Sequence, residues 1–227
     1  KSARALVKRV LLTVFTVQRP YALPLLTIFP FAAACASPPS PVAPSTVAHA
    51  ALPGPIAPYA ELVAESDPDF PRAASAKAMK PAGQGGMTTA HVIRITRDLP
   101  VYRLWNGPEK KDKDGHTNRI GAWWTYVAPR GPVATYRHDY ETCRAWNDFT
   151  WVARCTLKTG AIVAIGPGQS VSAEACGDLT GAENYPANPD AYQTYIDKPW
   201  ARPQELECPP EAEDYRADPD DIAKPAH

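Results

Sequence analysis

Arg103 is the first residue that asks for a chemical explanation. It sits in "LPVYRLWNG" (residues 99–107), a strand-forming apolar run that ends in an Asn-Gly turn. A guanidinium there either reaches solvent or points into a cleft and holds an anion. It is permanently charged and offers a two-pronged fork that matches phosphate. Trp105 follows two places on, and Trp123 and Trp124 stand side by side in "GAWWTYV" (residues 121–127). Neighbouring strand residues point to opposite faces, so only one of that pair lines a given cleft. Other chemistries lack their residues. The five His are scattered and no two Cys are close, so no zinc spacing is present and no metal is expected. No Ser-His-Asp order and no phosphate-cradling glycine loop is visible either.

Short strands must position these groups. Residues 90–96 ("AHVIRIT"), 100–105 and 121–127 read as strands. Residues 131–146 ("GPVATYRHDYETCRAW") read as a helix. In "FTWVARCTL" (residues 149–157), Phe149, Trp151, Ala153, Cys155 and Leu157 alternate onto one face. "KTG" then predicts a hairpin turn into "AIVAIGPG" (residues 161–168). The last strand is "DAYQTYI" (residues 190–196), which carries Gln193. Strands outnumber helices, so the fold class is α+β.

The folded part is predicted at 88–208. Lys+Arg and Asp+Glu both number 24 in a chain of 227 residues, so there is no basic footprint for nucleic acid. Residues 1–35 combine a basic start with the apolar run "YALPLLTIFPFAAAC" and read as an export signal. Cys35 within "AAAC" is a candidate for lipidation, which would anchor the chain in a bacterial envelope; cleavage without lipidation gives plain secretion. Residues 36–87 are rich in Pro, Ala and Ser without hydrophobic periodicity, and read as a disordered linker. Residues 209–227 form an acidic, Pro-rich tail, loose or strapped to the surface. The four remaining cysteines, Cys143, Cys155, Cys176 and Cys208, suit two disulfides in an exported domain. Three pairings are possible; Cys143–Cys155 with Cys176–Cys208 closes the shortest loops.

The order of "VYRLWNG", "RIGAWWTYVAPRG", "WNDFTWVARCTLKTGAIVAIGPGQS" and "AYQTYI" resembles exported ADP-ribosyltransferase-like domains, including toxin-type transferases and NAD glycohydrolases. The resemblance spans residues 100–196. It implies a split pair of small antiparallel β-sheets with an NAD cleft between them, and NAD as substrate. Arg103 would hold the pyrophosphate or the adjoining ribose, and Trp123, Trp124 and Trp105 would be candidates to stack on a flat ring. Thr125 would shape the nicotinamide pocket, and Gln193 would take the catalytic position of the late strand. The family's Ser-Thr-Ser is Trp123-Trp124-Thr125 here, and Ala191 stands where a second late acid is common in transfer to arginine. Hydrolysis, or transfer to another protein or small-molecule acceptor, therefore fits better. Glu174, Glu183 and Asp197 are spare acids. The competing expectation is a non-catalytic, disulfide-stabilised envelope lipoprotein that binds a protein or glycan.

Overall fold

A single bent ribbon of two chain segments organises the protein. In the computed structural model, which describes residues 52–226, β2 (His91–Ile95) and β3 (Leu99–Trp105) run one after the other, as do β5 (Trp151–Leu157) and β6 (Ile162–Pro167). β3 pairs antiparallel with β5, and β2 with β6. Leu99 lies opposite Leu157 and Ile93 opposite Val163, one register for both halves. Ladder bonds continue through the bend, from Ile95 N–H to Ala161 O (2.9 Å) and from Gly160 N–H to Ile95 O (2.7 Å). Asp98 fastens the corner by accepting the Thr159 N–H (2.8 Å) and pairing with Lys158. Gly160 has φ +91°, a left-handed conformation that glycine enters without steric penalty.

"KTG" is therefore a corner and not a hairpin turn. It carries the chain from one sheet to the other. A hairpin and a corner share the same turn chemistry, and the β-branched residues of both strands favour extended chain in either case.

Each half of the ribbon belongs to its own sheet. The five-stranded sheet has the order β1–β2–β6–β7–β4, with β1 at Ala60–Leu62, β4 at Trp123–Trp124 and β7 at Tyr192–Tyr195. The four-stranded sheet runs β3–β5–β8, with β8 at Leu206–Glu207, and β9 (Tyr215–Arg216) also pairs with β5. All these pairings are antiparallel, and the fold is α+β with strands predominating. The sheets meet where Thr125, just beyond β4, exchanges two backbone hydrogen bonds with Tyr102 of β3 (2.7 and 2.9 Å).

Three expectations need correction. The linker does not extend to residue 87, because the chain is folded from residue 52. Ile56 is fully buried, β1 pairs with β2, and Val63, Ala73, Ala78 and Met87 pack with Ile162 and Ala164. The tail is integral as well: Ala217 and Ile222 pack with Leu104, Phe149 and Val152, and the buried Arg119 grips both oxygens of Asp214 (2.7 and 2.8 Å). Elements of two to four residues are too short to show a period. Third, the helix is only α2 (Val133–Asp139), because Glu141 adopts φ +42° and ends it. Two further helical turns, α1 (Ser75–Ala78) and α3 (Ala173–Cys176), complete the elements used below. The export signal and Cys35 lie outside the described residues.

The four cysteines do form two disulfides, but as Cys143–Cys176 and Cys155–Cys208. Strand pairing overrides loop length. Thr156 faces Glu207 and Leu157 faces Leu206, so the same register sets Cys155 opposite Cys208. Loop-closure entropy varies only logarithmically with length and is a weak guide beside such a register.

Candidate functional site

Beside the seam of the two sheets lies a cleft of about 250 Å³. One wall is strand-borne, with Arg103 from β3 and Gln193 from β7. The other is loop-borne, made by Glu141, Thr142 and Trp146 after α2 and by Lys80, Gln84 and Gly86. Tyr136, Tyr140 and Phe149 form an aromatic floor, with ring centroids 4.5 Å (Tyr136–Tyr140) and 5.3 Å (Tyr136–Phe149) apart.

Arg103 faces this cleft and is not an edge-strand surface residue. Its Nε donates to Asn118 O (3.0 Å) and its Nη1 to Trp123 O (2.7 Å). Gly121 makes room for the guanidinium, since a Cβ there would press on Nη1 and Nη2. Among the described residues no carboxylate pairs with it. Burial lowers its pKa to about 10, which leaves it a cation at neutral pH. A half-buried, unneutralised cation in an aromatic cleft is a ready anion site.

Gln193 is 8% exposed and donates from Nε2 to Glu141 Oε2 (3.2 Å). The other oxygen of Glu141 accepts the Asn188 N–H (2.8 Å). Glu141 is 2% exposed, and its carboxylate occupies the space a side chain at Gly168 would need. Among the described residues no cation stands within pairing distance, and burial pushes its pKa up to about 8. Arg103, a cation, and Glu141, an acid that burial keeps largely protonated near neutrality, thus line one cleft, and among the described residues neither has a charged partner.

The other predicted residues stand further back. Thr125 is 1% exposed and does not line the cleft; its hydroxyl bonds the Tyr140 hydroxyl (2.9 Å) and accepts the Val127 N–H (3.1 Å). It touches the site through two residues that line it, Tyr140 by its hydroxyl and Tyr102 by its backbone. Trp105 is wholly buried, with its ring 6.1 Å from that of Trp151, and cannot stack on a ligand. Trp124 borders the cleft, but its ring is 3% exposed and packs in the main core. Its Nε1 donates to Gly121 O (2.6 Å), which holds that backbone against Arg103. The spare acids lie elsewhere: Asp197 pairs with Lys77, Glu183 binds the Arg144 N–H and the Tyr185 hydroxyl, and Glu174 opens α3.

Sequence reasoning missed Glu141, Trp146 and the 80–86 loop. Trp146, 45% exposed, is the most exposed aromatic lining the cleft, ahead of Trp123, Tyr102 and Tyr140, and its ring lies against Gly85. The loop is tied down by Gly85 N–H to Ser170 O (2.9 Å) and Ser172 N–H to Gly83 O (2.9 Å). The signals available were the glycine cluster "GQGG" (residues 83–86), inside what read as a linker, and a cysteine two places after Glu141. No protein-family model, curated protein or solved structure matches this chain.

Proposed function

We propose that this protein is an exported NAD-cleaving enzyme with an ADP-ribosyltransferase-like fold and an NAD cleft at the seam of its two sheets. One observation carries the proposal: Arg103 shares a cleft with Gln193 and Glu141, and among the described residues neither the guanidinium nor the acid has an ion-pair partner. NAD offers the matching pattern, an anionic pyrophosphate and a cationic nicotinamide ring joined through a ribose. Arg103 binds the pyrophosphate, with the exposed Lys80, which lines the cleft and has no ion pair among the described residues, as a second cation. The Gln193 carbonyl oxygen accepts a hydrogen bond from the ribose 2′-hydroxyl. Trp146 offers a face for a flat ring.

Cleavage breaks the bond between nicotinamide and the ribose C1′. Nicotinamide leaves with the electron pair as a neutral molecule, and positive charge spreads over C1′ and the ring oxygen. The cleft contributes positioning, and Glu141, in its ionised form, stabilises that cation. Ligand pockets commonly run to about 300–1,000 Å³. A cleft of about 250 Å³ suits one end of a dinucleotide, with the remainder along the rim.

Nicotinamide release from NAD tests this. Wild-type protein with intact disulfides is expected to release it, and Arg103→Ala and Gln193→Ala to lower kcat/KM by about 100-fold or more. Wild-type protein that neither binds nor cleaves NAD would return the molecule to the class of non-catalytic envelope binders.

A further inference from the structure

We propose that Glu141 is the general base of this cleft and that its acceptor is water, so that the enzyme is a hydrolase. This rests on the cleft being an NAD site. The balanced step is simple. The C1′–nicotinamide bond breaks and the pair leaves with neutral nicotinamide. A water oxygen bonds to C1′, and its proton passes to the Glu141 carboxylate, yielding ADP-ribose. The proton is then lost to solvent.

Position is the first support. Glu141 is one hydrogen bond from Gln193, the residue that holds the reacting ribose, and both line the same cleft. Its carboxylate is also held in place. The Asn188 N–H and Gln193 Nε2 take one oxygen each, Gly168 leaves the space, and the backbone accepts φ +42°, which non-glycine residues seldom adopt. Buried acids that serve only structure are ordinarily paired with a cation; Glu205, for example, lies between Arg72 and Arg202. Glu141 has no such partner among the described residues. Backbone strain and a buried acid with no cation beside it both lower stability, and a functional role accounts for their coexistence at one residue. The raised pKa is consistent, because a carboxylate that binds protons near neutrality can take one from water as the bond forms.

Burial selects the acceptor. Glu141 lines the cleft but is only 2% exposed, so the space beside it suits an acceptor as small as water. A side chain presented by a folded protein cannot enter so far past the Trp146 rim and the 80–86 loop. Arg103, whose fixed charge suits an anion, shares the cleft and adds no acceptor of its own.

The test uses the full disulfide-bonded chain, NAD and sodium azide. If wild-type protein releases no nicotinamide, the NAD assignment itself fails. Given wild-type turnover, Glu141→Ala should bind NAD within a few-fold of wild type but hydrolyse it about 100-fold or more slowly. Azide is a nucleophile that needs no base. It should restore nicotinamide release by Glu141→Ala and give ADP-ribosyl azide, a rescue that a merely structural role would not produce. Should Glu141→Ala fail to fold, the near-isosteric Glu141→Gln decides by the same loss of hydrolysis with NAD binding kept. Three results would overturn the proposal: hydrolysis by the variant within threefold of wild type, a slow variant that azide does not rescue, or wild-type protein that transfers ADP-ribose to an added acceptor faster than to water.

Discussion

The two walls of the cleft are built by different means. Arg103 and Gln193 stand on strands, where ladder hydrogen bonds and the alternation of faces fix their direction: Arg103 is opposite Ala153, and Gln193 opposite Gly166. Glu141 and Trp146 stand on a loop with no ladder. That loop is shaped by the buried Arg137, which lies over the Phe149 ring and donates to Thr142 O (3.0 Å) and Asp148 O (3.3 Å). It is pinned by Cys143–Cys176, which joins it to α3. The residues just before α3 in turn hold the 80–86 loop. One covalent link therefore serves both loops of that wall, whereas the strand wall needs none.

Removing the disulfides one at a time would test the contrast most strongly. Their sequence separations are 33 and 53, so chain entropy predicts similar stabilisation, about 2–4 kcal/mol each and within about 0.5 kcal/mol of one another. Replacing Cys143 and Cys176 together by Ser should lower NAD cleavage per folded molecule by more than about 10-fold. Replacing Cys155 and Cys208 should lower the unfolding midpoint to a similar extent but leave the rate per folded molecule near wild type. Equal losses of activity in the two variants would show that the walls do not differ in this way.

The strand wall has its own point of failure. Gly121→Ala would drive a methyl group into the Arg103 guanidinium. It should lower kcat/KM by about 10-fold, because a displacement near 1 Å is enough to spoil a positioned charge. Trp146→Ala is milder. Loss of a stacking face worth about 0.5–1.5 kcal/mol should raise KM by about 2- to 10-fold, with little change in melting temperature, since the ring is 45% exposed.

Stability against pH probes the loop wall without reference to turnover. Glu141 titrates near pH 8 in the folded protein, above its ordinary value of 4.5. Between those values the folded chain holds more protons than the unfolded one, so stability falls as pH rises through this window. Glu141→Gln removes that contribution. The fall in melting temperature from pH 5 to pH 8.5 should be smaller in the variant than in wild type, and an equal fall would place the carboxylate in solvent.

This division also explains what the sequence revealed. Arg103 was legible as a charge inside an apolar strand, Gln193 was reached through the family resemblance, and the alternation from Phe149 to Leu157 announced β5. Pairing partners were not legible. The same apolar alternation serves a hairpin or a corner, which is why "KTG" misled and why Cys155 was matched with the wrong cysteine. Glu141 was hidden for a different reason. It lies where α2 stops short, in a segment whose shape depends on Arg137, Cys176 and Asn188, all outside any local pattern. Ile56 and Ile222 were missed because one buried residue per short turn leaves no signature among prolines.

The unbroken register of the bent ribbon limits how this molecule can change over evolutionary time. One codon inserted within β3 would turn every later side chain of that strand over and carry Arg103 away from Gln193. Repair would require a matching insertion in β5, and β5 is also committed to β8 and β9. Length variation among descendants is therefore expected in the 107–119 and 177–190 loops, with the two arms of the ribbon held to a constant count.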